Sequence, residues 1–409
     1  MLQIVKINAD DLEVGMYISR LDRPWLETPF MLQGLVLSSE EEIQLVQQYC
    51  KHVYIDTLRS VHKPLTPRPI ELKRPRKSVQ ELFGRRVLKK LEDTSNWKEE
   101  YPRAVEAVES LSHGITEIFD NVVSGGALDI VKVKKSVDPM IDSVMRNPDA
   151  CIWLARIKQE DHYTYQHSLG ASIWAVALGR QLGLPKADLR SLAIGGLLFD
   201  VGKLGIGKEL LRVERALTED EMKQLRDHVS IGLEMVKGSG LMNQDVIDMV
   251  AYHHERHDGS GYPSRYKGDD IPVFARIAAI VDCYDAITSH RSYARAISPS
   301  EAIKMLYQLK DIDFQAELIE EFIQAVGIYP AGTLVELSSG EVAVVVAEYR
   351  TRRLRPRVMV LLDSEKQQLS DIRTVDLLNV TETDDGEPLD IVNSLESDAY
   401  GLDMAGLEV

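Results

Sequence analysis

The sequence is poor in cysteine, in aromatic residues and in positive charge. Its 409 residues include only three cysteines, Cys50, Cys151 and Cys283, which lie far apart and form no paired motif. A disulfide framework and a cysteine-based zinc site are therefore excluded as organising features. Free thiols are typical of a reducing compartment. The formal net charge of −16 argues against nucleic acid as a partner, because nucleic-acid-binding proteins present a basic surface.

Long apolar runs are absent as well. No stretch approaches the roughly 18 consecutive apolar residues that a membrane helix needs. The first residues, Met1 to Lys6, lack the charged and then apolar layout of a signal peptide. Hydrophobic residues nevertheless make up 44% of the chain, which is ordinary for globular proteins. We expect a cytoplasmic protein without a membrane partner and, from its length, with more than one domain.

The first 62 residues alternate strand and helix patterns and predict a small α+β domain. Short strands are expected at Leu2–Ile7, Met16–Ile18 and Val53–Ile55. A helix is expected at Glu40–Tyr49, where Ser39 provides a cap signal.

A proline-rich, basic linker is predicted at residues 63–77, and it separates this domain from a helical connector at residues 78–148. Residues 149–328 then read almost entirely as helix. Thr218–Glu221 has the pattern of a capping box, which opens a helix that should carry His228. Another helix, Gln244–His257, should carry two adjacent histidines.

The pattern changes again towards the C-terminus. Residues 329–380 predict a β-hairpin extension, because Thr333–Leu337 and Val342–Val346 are joined by a Ser-Ser-Gly turn, and Val358–Leu362 adds a third strand. Residues 381–409 are acidic and contain no lysine or arginine, which is typical of a disordered tail.

Histidines and aspartates recur in the apolar, helix-patterned sequence of the central domain. His167, Asp200, His228, His253 and Asp282 come from separate segments. An unpaired carboxylate is costly to bury, so a metal site assembled from several helices explains the set. Imidazole and carboxylate ligands without cysteine suit iron, manganese or zinc. An aspartate that bridges two such ions, roughly 3.5–4 Å apart, is typical of centres that hydrolyse phosphate esters.

Each of these residues alone also has a simpler interpretation. A lone histidine such as His167 on an apolar helix is commonly a core residue, and Asp200 can form an ion pair with Lys203 one helical turn later. Asp282 and Asp285 share one helical face, where two carboxylates need a nearby cation.

Several motifs follow one another in the central domain: Tyr163–Ser168, Asp200–Lys203, His228, His253–Glu255, Asp258–Pro263, Asp282 and Asp285. With these motifs, residues 160 to about 325 resemble the HD-GYP domain, a branch of the HD metal-dependent phosphohydrolases that hydrolyses cyclic diguanylate (cyclic di-GMP). With Val14–Ile18 and Pro24–Leu26, the first 62 residues resemble a small uncharacterised domain that often precedes HD-GYP in bacteria. The resemblance implies a mainly α fold: an all-helical HD-type metal-centred bundle, with the α+β domain before it and the hairpin after it.

The resemblance also implies the cofactors and their ligands. Two divalent transition-metal ions, iron or manganese, are expected, because Tyr163 replaces the glutamate of a three-metal variant. Asp200 would bridge the ions. The implied ligands are His167, Asp200, His228, His253 and Asp282, with His254 as a further candidate.

The remaining implied roles concern the substrate, cyclic di-GMP. Lys203 would contact the scissile phosphate and act with the bridging aspartate as a catalytic residue. Arg291 would bind the substrate phosphates, and Gly261, Tyr262 and Pro263 would shape the pocket. Hydrolysis would open the ring to linear pGpG and then release GMP.

One position departs from the family pattern. The motif that names the superfamily is His-Asp, whereas this chain has Phe199-Asp200, and phenylalanine cannot ligate a metal. Two functions therefore compete: a working cyclic di-GMP phosphodiesterase, or a degenerate domain that binds the nucleotide or a signalling protein partner without cutting. A purely structural helical scaffold is a third hypothesis, but it leaves the buried charges unexplained.

Overall fold

A computed structural model describes residues 4–22, 35–37, 39–56, 76–84, 86–157, 163–213, 215, 217–289, 296–350, 352–383, 385–396 and 399–402. The protein is mainly α-helical, as predicted, with a small sheet at each end of the chain. Most of the predicted linker lies outside the described residues. No helix in the described ranges is both long and apolar enough to cross a membrane.

The N-terminal segment forms an antiparallel sheet covered by one helix, which confirms its α+β character. Its described strands are ordered β1-β4-β2-β3. Ser39 caps the helix by accepting a hydrogen bond from the Glu42 backbone N–H over 3.3 Å. Ile18, Val46 and Ile55 are among the residues of its own apolar core. The elements are β1 (Ile4–Asn8), β2 (Tyr17–Leu21), β3 (Leu35–Val36), α1 (Glu40–Tyr49) and β4 (His52–Asp56).

Most of the helices that follow share one large apolar core. The connector consists of α2 (Val79–Leu82), α3 (Trp97–Val123) and α4 (Ile130–Arg146). The central helices are α5 (Pro148–Ile157), α6 (Tyr163–Gln181), α7 (Lys186–Leu198), α8 (Lys208–Leu211), α9 (Glu219–Arg226), α10 (His228–Gly238), α11 (Gln244–Tyr252), α12 (Val273–Thr288), α13 (Pro299–Gln308) and α14 (Ala316–Val326).

Two close backbone approaches bring the helices of the site together. A Cβ on Gly196 would lie 2.8 Å from the Ser172 Cα, so α6 and α7 pack almost backbone to backbone. A Cβ on Gly202 would lie 1.8 Å from the His228 carbonyl oxygen. The turn after Asp200 therefore packs directly against the first turn of α10, and only glycine fits there.

Two predicted helix boundaries were wrong. Thr218 does form a capping box with Glu221, but the helix that it opens ends at Arg226, and His228 begins the next helix. The helix that starts at Gln244 ends at Tyr252, so His253 is its C-cap residue and His254 lies in the following turn.

The C-terminal unit is larger than the predicted hairpin. The predicted pair of strands is present, but it belongs to an antiparallel sheet of order β8-β7-β6-β5-β9 within the described chain. Its strands are β5 (Leu334–Leu337), β6 (Val342–Ala347), β7 (Arg357–Leu362), β8 (Gln368–Asp376) and β9 (Ile391–Ser394).

The disordered tail was a wrong prediction for the part that forms β9. This strand pairs with β5, and Leu389 just before it is buried in the core of the sheet. The acidic composition suggested disorder, but part of the negative charge is paired with a residue outside the tail. Arg355 donates a hydrogen bond to Asp390 over 2.5 Å.

Candidate metal centre

Three buried histidines point the same ring nitrogen, Nε2, towards one carboxylate. His228 donates from Nδ1 to the Leu225 carbonyl over 2.6 Å, and His253 donates from Nδ1 to the Met249 carbonyl over 3.1 Å. His167 donates from Nδ1 to the Asp285 carboxylate. Since each Nδ1 already has an acceptor, each Nε2 is left as the candidate ligand atom.

Asp200 lies between two groups of potential ligands and belongs to both. Its Oδ2 is 3.3 Å from the Nε2 of His167, whereas its Oδ1 is 3.3 Å from the Nε2 of His228 and 3.7 Å from that of His253. One group consists of Asp200, His228, His253 and His254, and the other of His167, Asp200 and Asp282. The structure therefore brings together all six residues that the sequence indicated as ligands.

His254 lies close to both groups. Its Nε2 is 3.2 Å from the Nε2 of His228, and its Nδ1 is 3.8 Å from Oδ2 of Asp282. Asp282 in turn places Oδ1 3.1 Å from the Nε2 of His167. An ion shared by these atoms would draw on imidazole and carboxylate together, as predicted for a transition metal.

The electrostatics of the site favour the protonation states that bind metal. Burial lowers the pKa of His228 to about 4 and lowers the pKa of His254 well below its usual value. Burial alone would raise the pKa of Asp200, but the charge of Lys203 holds it well below the usual range. At neutral pH the first two are neutral imidazoles and the third is a carboxylate.

The arrangement fits metal ions better than a hydrogen-bonded polar cluster. Asp200 Oδ1 is buried and has no hydrogen-bond donor among the described residues. The Nε2 atoms of His228 and His253 lie 3.3 Å apart, although both rings use Nδ1 as their donor. Lone pairs that converge in this way repel one another unless a cation lies between them.

Phe199 takes no part in either group. It follows the last residue of α7, is completely buried, stacks on the His253 ring at 4.9 Å and meets the His167 ring edge-on at 5.6 Å. Among the described residues, no fourth His, Cys, Asp or Glu places a ligand atom close enough to join the group of His167, Asp200 and Asp282. The position that holds histidine in the His-Asp motif is therefore occupied here by an apolar ring.

Asp285 has a role that the sequence did not reveal. Its Oδ2 accepts a hydrogen bond from His167 Nδ1 over 2.7 Å, and its Oδ1 accepts one from Trp174 Nε1 over 2.9 Å. The carboxylate thus fixes the orientation of His167 from behind the site. The spacing of Asp282 and Asp285 on one helical face was the available signal, but it did not identify the partner.

The structure describes only some of the residues that were predicted to contact the substrate. Tyr262 stacks on His254 at 4.6 Å, and the Arg226 guanidinium lies 4.9 Å from the Tyr262 ring centre. Arg226 was missed by the sequence reasoning. Lys203 places Nζ 2.5 Å from Asp200 Oδ2, so the ion-pair interpretation holds as well. Pro263 follows Tyr262 in the same loop.

The predicted phosphate-binding residue Arg291 lies outside the described residues. In the loop that contains Tyr262, Gly261 is required by a close approach, because a Cβ there would lie 2.4 Å from the His254 carbonyl oxygen.

Family models match three parts of the chain. An HD domain matches residues 149–317, a domain of unknown function matches residues 4–133, and a KOW domain associated with HD domain matches residues 334–383. Among solved structures, the chain is similar to Bd1817, an HDG"Y"P protein from Bdellovibrio bacteriovorus, with a TM-score of 0.47 and 17% identity over 78% of this chain and 98% of that one.

Curated relatives carry related names. The chain is 30% identical to the cyclic di-GMP phosphodiesterase PA4108 of Pseudomonas aeruginosa over 93% of this chain and 90% of that protein. It is 36% identical to the cyclic di-GMP phosphodiesterase response regulator RpfG of Xanthomonas campestris over 36% of this chain and 39% of that protein. With an HD-domain match in the helical region and a relative this similar along almost its whole length, the chain belongs to the HD-GYP family of HD-domain proteins.

Proposed function

We propose that this protein is a metal-dependent phosphodiesterase that hydrolyses cyclic di-GMP. The names of its two relatives support this substrate. The observation that carries the proposal is the position of Asp200, whose two carboxylate oxygens face separate groups of ligand atoms. A carboxylate in that position is suited to bridging two ions, and such pairs are common in phosphoesterases.

We infer that the site takes two divalent ions, iron or manganese. Asp200, His228 and His253, with His254 beside them, would hold one ion, and His167, Asp200 and Asp282 would hold the other. When bound, the ions would supply Lewis-acid stabilisation of phosphate charge and a more acidic water. Main-chain carbonyls hold the His228 and His253 rings, and the Asp285 carboxylate holds the His167 ring.

The remaining residues would act on the substrate. The Lys203 ammonium, which is partly exposed beside Asp200, would neutralise a non-bridging oxygen of the scissile phosphate. Arg291 would bind a substrate phosphate, and Gly261, Tyr262 and Pro263 would shape the pocket near His254. Cleavage of one phosphodiester bond would give linear pGpG, and a second cleavage would give GMP. We place this reaction in the cytoplasm, where thiols such as that of Cys151 stay reduced.

The test combines metal analysis with product analysis. The protein is loaded with manganese or ferrous iron, the bound metal is counted, and cyclic di-GMP, pGpG and GMP are separated by chromatography. We expect pGpG with the parent and none with Asp200→Ala, which should also lose metal. Asp248→Asn is a matched control, because this aspartate also lies in the helical domain but outside both ligand groups. A metal-loaded parent that leaves cyclic di-GMP intact would refute hydrolysis.

Phe199 favours a second candidate function, a domain that binds cyclic di-GMP or a signalling partner without cutting it. With phenylalanine in place of the motif histidine, the group of His167, Asp200 and Asp282 has one ligand fewer. If the parent is inert but Phe199→His cleaves, the degenerate function holds. A parent that binds neither metal nor the nucleotide would refute both hydrolysis and nucleotide binding.

A further inference from the structure

The N-terminal sheet contacts the loop that follows the two adjacent histidines. Arg20, on β2, lies between two carboxylates of the helical domain: Nη2 donates to Asp258 Oδ2 over 3.1 Å, and Nη1 pairs with Asp313 Oδ1. The same Nη2 donates to the Ser260 hydroxyl over 2.8 Å. Tyr54, on β4, donates its hydroxyl to Asp258 Oδ2 over 3.3 Å and packs its ring 5.1 Å from the guanidinium.

The two carboxylates need this cation. Backbone hydrogen bonds from His257 to Asp313 (2.8 Å) and from Asp258 to Ile312 (2.9 Å) hold the base of the loop against the segment after α13. The Asp258 and Asp313 side chains are only 20% and 15% exposed. Two like charges held together away from water repel each other, and a guanidinium that contacts both removes that repulsion.

The contact is only a few residues from the candidate metal centre. Two residues after Ser260, Tyr262 donates its backbone N–H to the His254 carbonyl over 3.3 Å and stacks its ring on the imidazole. Between them, Gly261 packs against the Glu255 backbone. Arg20 itself belongs to neither ligand group. Its effect on the site must therefore pass through the loop.

We propose that Arg20 is a positioning residue that holds the loop of residues 258–263 in the conformation that receives the cyclic dinucleotide. The N-terminal domain thereby sets the affinity of the site for substrate. The substrate rests on the proposed function, whereas the effect on the loop does not. A guanidinium suits this position because one nitrogen donates to the Asp258 carboxylate and the Ser260 hydroxyl while the other forms an ion pair with Asp313.

The first test measures backbone hydrogen exchange of the full-length protein, followed by mass spectrometry of peptides that cover residues 256–267. In Arg20→Ala we expect these amides to exchange at least about tenfold faster, the factor expected when charge-assisted hydrogen bonds are lost. Arg20→Lys, which keeps the charge but not the fork, should change less.

Arg86→Ala is the matched control. Arg86 also bridges two aspartates, Asp188 at 2.9 Å and Asp245 at 2.6 Å, and neither lies in the loop. It should leave loop exchange unchanged, and manganese content should equal the parent value in both alanine variants. If Arg20→Ala loses the fold of its domain, Arg20→Lys and Tyr54→Phe provide the same comparison. Loop exchange that is the same in all variants overturns the positioning role.

The second test separates substrate binding from chemistry. We expect Arg20→Ala to raise KM for cyclic di-GMP about tenfold while kcat stays within about twofold, because no ligand residue is touched. Faster loop exchange without a change in KM overturns the link to substrate. If the parent neither cleaves nor binds cyclic di-GMP, the proposed function fails, and the exchange experiment alone decides the role of Arg20.

Discussion

Replacing Phe199 by histidine tests whether the centre is built for metal. The phenylalanine ring is completely buried between His253 and His167. Without metal, a histidine there would bury a polar ring with no assigned partner, which costs about 1–3 kcal/mol. For a domain of this size each kcal/mol lowers Tm by about 2–4 °C, so the metal-free variant should melt roughly 2–12 °C below the parent.

Bound metal should reverse the order of the two melting temperatures. A ligand at a hundred times its Kd stabilises the folded state by about 2.7 kcal/mol, and the variant offers one more ligand atom than the parent. We therefore expect manganese to raise the Tm of Phe199→His more than that of the parent. The assay is thermal denaturation, followed by circular dichroism, first with a chelator and then across a manganese titration.

Phe199→Leu serves as the control, because leucine also removes the ring but has no lone pair. It should melt below the parent with and without metal. If Phe199→His is as stable as the parent under chelation, and manganese stabilises all three proteins equally, the inference that residue 199 faces a metal site is refuted.

Three further predictions concern other parts of the molecule. Asp285→Asn should weaken manganese binding about 10–100-fold, measured by calorimetry, since it removes the charge that orients His167; an affinity equal to that of Asp248→Asn would contradict this role. Burial raises the pKa of the Cys151 thiol to about 12, so alkylation at pH 8 should leave it unmodified until denaturant is added, as mass mapping will show. Leu389→Ala should lower the free energy of unfolding by about 2–5 kcal/mol, because this side chain is buried beneath the C-terminal sheet. Urea denaturation measures that change, and Val392→Ala, at an exposed position of β9, should have almost no effect.

Two candidate ligands could be marked in the sequence because burial makes isolated charges costly. Asp200 and Asp282 each follow an apolar run, and that local signal was enough to mark them. The way in which these residues are grouped in space could not be predicted from the nearby sequence. The sharing of Asp200 between two groups depends on the packing of the turn at Gly202 against α10, which joins segments that are distant in the sequence.

Other features had no local signal at all. The helix that precedes His253 ends without a glycine or proline, so nothing in the sequence marked its boundary. The contact between Arg20 and Asp258 joins residues 238 positions apart. The strand β9 was missed because the acidic composition around it was weighed without Arg355, which precedes β7 and donates a hydrogen bond to Asp390.

The joint between Gly202 and His228 also bears on how this site can change over evolutionary time. The contact is between main chains, so it keeps Asp200 beside His228 whatever side chain occupies position 199. A substitution there can alter the chemistry without moving the frame that holds the other ligands. Exchange of phenylalanine and histidine at position 199 would then add or remove one imidazole beside the two ligand groups without rebuilding the fold.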